Sequence, residues 1–150
     1  MKERIIKLIQ NGNIEELKDT FFFLEKKEIT SLKDLFHELK EILNEWREEN
    51  KKLISRNQRK RQEIEALQKE REEYQTLYIN STNREESAKY RGLIEEIKER
   101  ISGIEIKREE KDDHLECKKA SFYSIYSGEG KINNLARLIS GITELIKERL

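Results

Sequence analysis

The sequence predicts an all-α fold: a long antiparallel coiled-coil hairpin, about residues 31–79 and 84–126 with its turn at 80–83, joined to a small helical head. Three observations predict it. Proline is absent from all 150 residues, and proline costs about 3 kcal/mol inside a helix, so the strongest helix breaker is missing. Charged residues make up 41% and hydrophobic residues 35%, too polar for a deep core but suited to thin helices that bury one stripe each. Apolar residues recur at steps of three and four, and 31 basic residues balance 31 acidic ones. Both features separate the chain from disordered polar sequences.

The elements follow in order. Ile5, Ile6, Leu8 and Ile9 mark a short helix over about 2–10. Asn11-Gly12-Asn13 stops it, because Gly and Asn tolerate the left-handed backbone that ends helices. Asn13 caps a second helix over about 14–28, with Glu16 in the capping-box position. Phe21, Phe22 and Phe23 lie on it, and residues 100° apart cannot all face one thin seam.

Thr30 and Ser31 offer the next N-cap, and Asp34 stands three residues after Ser31. The first long stripe is Leu32, Leu35, Leu39, Ile42, Trp46 and Leu53, with Glu49 as a gap. Its phase then slips by four residues, a stutter, and resumes at Asn57, Lys60, Ile64, Leu67, Arg71, Tyr74 and Tyr78.

After the turn, Thr82 forms a capping box with Glu85. The return stripe is Ser87, Tyr90, Ile94, Ile97, Ile101, Ile104, Arg108, Lys111, Leu115, Lys118, Phe122 and Ile125, without a slip. Gly128-Glu129-Gly130 ends that helix, and a last one over about 131–149 carries Ile132, Leu135, Leu138, Ile139, Ile142, Leu145 and Ile146 on one face.

Folding the long helices about the turn brings Leu67 level with Ile94, Ile64 with Ile97, Asn57 with Ile104, Trp46 with Leu115 and Leu39 with Phe122. Midway, Glu49 and Asn50 come level with Lys111, which predicts an ion pair in the seam that sets register more than stability. The chain reads as one helical unit, its head built from residues 1–46 and 115–150 and its stalk from 47–114.

Chemistry is sparse. A two-helix stalk has no concave, water-excluding site, and no phosphate loop, nucleophile elbow or zinc quartet is present. No enzymatic activity, cofactor, metal or small-molecule substrate is therefore expected. His114 and Cys117 stand three apart beside Asp112 and Asp113, but a structural zinc needs four ligands, and a surface histidine beside a half-buried thiol is the simpler account. Cys117 is the only cysteine, so no internal disulfide can form. No apolar run approaches the roughly 20 residues of a membrane span, and a cytoplasmic location is the expectation.

A protein partner, or a second copy of the chain, is the partner class the pattern favours. Ile54 and Ile106 lie off the seam at nearly one level, and Gly103 would admit a close approach there. Phe21, Phe22 and Phe23, with Tyr123 and Tyr126, exceed what one seam requires. Tyr78, Asn80, Asn83 and Arg84 mark the tip as a contact point. The function expected is that of a non-enzymatic coiled-coil interaction protein: self-association, or an adaptor, scaffold or chaperone-like role docking onto a larger assembly. The alternative is a nucleic-acid-binding accessory protein gripping phosphates through Lys51, Lys52, Arg56, Arg59, Lys60 and Arg61, a run without an acid. Against it, no aromatic residue interleaves to stack on bases, and Glu105, Glu109 and Glu110 are expected to neutralise the run.

Overall fold

The computed structural model of the chain describes residues 1–112 and 130–150. Among the described residues there are five helices and no strand: α1 (Lys2–Gln10), α2 (Ile14–Leu24), α3 (Ile29–Asn80), α4 (Arg84–Ser102) and α5 (Lys131–Arg149). The fold is all-α, with α3 and α4 packed as a helical hairpin. Two compact units divide the chain, one of Met1–Asn50 with Glu110–Leu150 and one of Lys51–Glu109.

The first unit holds the main core. Ile5, Leu8 and Ile9 of α1 and Ile14, Leu17, Phe21 and Leu24 of α2 are buried together with Leu32, Leu35, Leu39, Leu43 and Trp46 of α3. From α5 come Ile132, Leu135, Ala136, Leu138, Ile139 and Ile142. The steps of three, four and seven along each helix put these residues on one stripe, so burial follows directly from helical periodicity.

Local chemistry sets the first boundaries. The amide of Gly12 donates to the Ile9 carbonyl at 3.2 Å and that of Asn13 to the Leu8 carbonyl at 2.9 Å, the pair of bonds of a Schellman turn. Gly12 takes the left-handed conformation this needs, with φ of 68°. Asn13 caps α2 by accepting from the Glu16 amide. That helix ends at Leu24 rather than near residue 28, and α3 begins at Ile29, ahead of the cap expected at Thr30 and Ser31. Glu25 to Glu28 offer no apolar side chain to continue the buried stripe, and the Lys27 carbonyl accepts instead from the Arg149 guanidinium.

In the second unit α3 runs without a break to Asn80. Leu67, Ile94 and Ile97 are its buried apolar residues, all at positions the alignment of stripes brings level. Tyr74 and Tyr90 stack with ring centres 6.3 Å apart. Asn83, not Thr82, caps α4, its Oδ1 accepting from the Glu85 amide at 2.8 Å. Ser81 reaches back to the Tyr78 carbonyl at 2.7 Å and meets the Ser87 hydroxyl at 2.6 Å, so this one turn residue is tied to both helices.

The return helix corrects the sequence reading. It stops at Ser102, not at residue 126, with Gly103 as its C-cap; residues 113–126 of the expected helix lie outside the described residues. The register partners Leu115 and Phe122 also lie outside them.

Candidate interaction surfaces

Residues 104–112 are not helical, and what holds them defines the least ordinary surface of the protein. In the second unit, the Lys60 ammonium donates to the Glu105 carbonyl at 2.7 Å and the Asn57 amide to the Lys107 carbonyl at 2.6 Å. Two residues of the segment pass while α3 passes three. Two antiparallel helices would pass one for one. The segment is not helical, and its carbonyls two residues apart both face α3, which is the alternation of an extended backbone.

Asn57 is fully buried, and its amide also donates to Glu109 Oε2 at 3.1 Å. Glu109 Oε1 accepts from Arg61 at 3.4 Å. A helix opposite Asn57 would have no backbone group to spare for it, whereas an extended chain does.

The first unit repeats the arrangement. Asn50 Nδ2 donates to the Glu110 carbonyl at 2.8 Å, and the Glu110 amide donates to Asn50 Oδ1 at 2.9 Å. One side-chain amide thereby satisfies both backbone groups of a residue, as a neighbouring strand would. Arg47 forks onto Asp112 at 2.8 and 3.3 Å. The seam ion pair expected where Glu49 and Asn50 come level with Lys111 does not form among the described residues. Asn50 reads backbone instead, and the charge pair forms one turn away through Arg47.

The same segment anchors α5. Glu110 Oε1 accepts the Lys131 amide at 2.7 Å, capping a helix whose own N-cap, Gly130, has no side chain to do so. Gly130 is required by its φ of 89°, and a Cβ there would come within 2.8 Å of Glu110 Oε1 and displace the carboxylate that caps α5. Asn133 Nδ2 donates to the Lys111 carbonyl at 2.6 Å, and the Lys131 ammonium lies 4.8 Å from the Trp46 ring centre. Sequence reasoning put Asn57 on the stripe, Asn50 level with Lys111 and Glu110 opposite the basic run, but missed that their side chains hold backbone groups. The available signal was two asparagines seven residues apart on one helix, a spacing that asks what their amides bond to.

The other candidate residues scatter. Phe21 is buried, but Phe22 and Phe23 are 61% and 59% exposed, with the Lys26 ammonium 5.2 Å from the Phe22 ring centre. Ile54 is half-buried and Ile106 exposed, and Gly103 ends α4 instead of opening a helix face. At the tip, Tyr78, Asn80, Asn83 and Arg84 are exposed, and Leu77 and Ile79 join Tyr78 to form a run of exposed apolar residues. Tyr123, Tyr126, His114, Cys117 and Asp113 lie outside the described residues.

The basic band is only partly neutralised. Arg61 pairs with Glu109 and Lys60 takes a carbonyl, but Lys52, Arg56 and Arg59 are exposed without a carboxylate partner among the described residues. The carboxylate of Glu110, expected to help neutralise them, caps α5. Among the described residues no three His, Cys, Asp or Glu side chains converge as a metal site requires, and no helix is long and apolar enough to cross a membrane. No family model, curated protein or solved structure matches the chain.

Proposed function

We propose that this chain is a non-enzymatic interaction protein whose hairpin unit associates with a second copy of itself. The observation that carries the reading is the thinness of that unit. Between Lys51 and Glu109 only Leu67, Ile94 and Ile97 are buried apolar residues, while Leu53, Ile54, Ile64, Leu93, Ile101 and Ile104 are half-covered. Isolated two-helix pieces of this kind lack the buried area that sustains a small domain, and association is the ordinary remedy. Packing against a second copy would complete the burial of those flanking side chains.

The test is the mass of the protein in solution across concentration and salt. A dimer or higher oligomer that survives high salt supports the reading, because apolar burial is little screened. A monomer at every concentration overturns it.

Nucleic-acid binding stands second, favoured by the unneutralised Lys52, Arg56 and Arg59. Affinity for a duplex that falls steeply with salt would raise it, and no binding even at low salt would remove it.

A further inference from the structure

Residues 104–109 form an extended chain with one edge engaged and the other open. In an extended backbone, the amide and carbonyl of one residue point to one edge and those of the next residue to the opposite edge. The carbonyls of Glu105 and Lys107 face α3, where Lys60 and Asn57 hold them. The amide and carbonyl of Ile106 and of Arg108 therefore point away from α3. Neither residue makes a hydrogen bond among the described residues, and both are exposed. A row of unpaired backbone groups of this kind is a template for another strand.

We infer that this edge pairs antiparallel with the same edge of a second copy, about a two-fold axis at Ile106. The register follows from charge. Only an even sum of paired residue numbers brings the open groups together. Sums of 210, 214 and 216 set Glu105 against Glu105, Lys107 against Lys107 and Arg108 against Arg108, and like charges placed opposite are destabilising. A sum of 212 sets Ile106 against Ile106 and Glu105 against Lys107, twice by symmetry. Each Ile106 amide then donates to the other copy's Ile106 carbonyl, and each Arg108 amide to the other copy's Ile104 carbonyl. Ile106, 38% exposed in the single chain, is covered by its own counterpart. The inference rests on the self-association reading and names the surface that performs it.

Five variants of the full chain, followed by sedimentation equilibrium, test it. Arg108→Pro removes one donor per chain, keeps the extended backbone and leaves the carbonyls that Asn57 and Lys60 hold. It should weaken the dimer about tenfold or more, whereas Arg108→Gln, which keeps the amide, should not. Glu105→Lys should weaken it as well by facing Lys107, and adding Lys107→Glu should restore it, because the exchange rebuilds the pairs across the axis. In a Cys117→Ser background, Ile106→Cys should oxidise to a disulfide dimer, since directly paired residues stand about 5.5 Å apart between Cα atoms, inside the range a disulfide spans.

A dimer indifferent to Arg108→Pro and to both charge changes overturns the edge pairing while leaving self-association intact. A wild-type chain that is monomeric throughout overturns both. The charge exchange decides the matter even if the proline variant does not fold.

Discussion

The two units of this chain use the same α3 helix to opposite ends. In the unit of Met1–Asn50 and Glu110–Leu150, α3 is one wall of a core to which four helices contribute 18 buried apolar residues among the described residues. In the unit of Lys51–Glu109 it meets α4 and an extended segment, and only Leu67, Ile94 and Ile97 are buried apolar residues. Where helices surround α3, apolar packing decides the structure. Where a bare backbone lies against it, side-chain amides decide it: Asn57 in one unit and Asn50 in the other. The difference teaches that a heptad stripe does not specify what covers it. Polar positions within the stripe do, because each needs a partner of matching geometry.

The largest expected effect breaks this comparison at the core. Leu39 is fully buried among several helices, and Leu39→Ala should cost about 2–5 kcal/mol, whereas Leu67→Ala, in a unit with only three buried apolar residues, should cost about 2 kcal/mol or less. Urea unfolding followed by Trp46 fluorescence and by far-UV circular dichroism checks it, since Trp46 is the only tryptophan and is buried in the core. Equal losses at the two sites would show that the hairpin is as well covered as the head.

Next comes the cap of α5. Gly130→Ala should lose about 2 kcal/mol, since it strains a positive φ and drives Cβ into the Glu110 carboxylate. Asn50→Ala should lose about 1–2 kcal/mol for two backbone hydrogen bonds and should speed hydrogen exchange at the Glu110 amide, with little effect at amides inside α1. An unchanged Glu110 exchange rate would mean that this bond does not hold in solution. The smallest effect belongs to Gly103→Ala. Its φ is −78° and the nearest atoms to an added Cβ are 3.6 Å away, so thermal stability should change by about 0.5 kcal/mol or less. The contrast between the two glycines separates a cap that geometry requires from one that sequence merely tolerates.

Much of this was legible in advance. The stop at Asn11-Gly12-Asn13, the Asn13 cap and the turn near Asn80–Asn83 depend on contacts within a few residues, and the last helix over residues 131–149 was legible from its own apolar period, although its cap comes from Glu110. The stripe of α3 was readable for the same reason, as was the burial of Leu67, Ile94 and Ile97. Of the candidate surface, Phe22, Phe23, Ile106 and Tyr78 proved exposed, while Phe21 went into the core. No local pattern marks which of three adjacent phenylalanines faces inward until the neighbouring helices are placed.

By itself, then, the sequence determined an all-α chain, the sites where its helices start and turn, and the stripe each one buries. These are short-range matters of propensity, capping and period. Only the tertiary structure decided that α4 ends at Ser102 and that the next residues run extended along α3. Ile104 to Asp112 keep a helical rhythm and contain no Gly or Pro, so local preference favours helix by only tenths of a kcal/mol per residue. Against that small bias stand the amides of Asn50 and Asn57, the Arg47–Asp112 fork and the uncapped end of α5. Each asparagine amide offers about 1 kcal/mol or more to a backbone that is not already bonded within a helix, the fork and the cap add to it, and all of these partners lie far away along the chain.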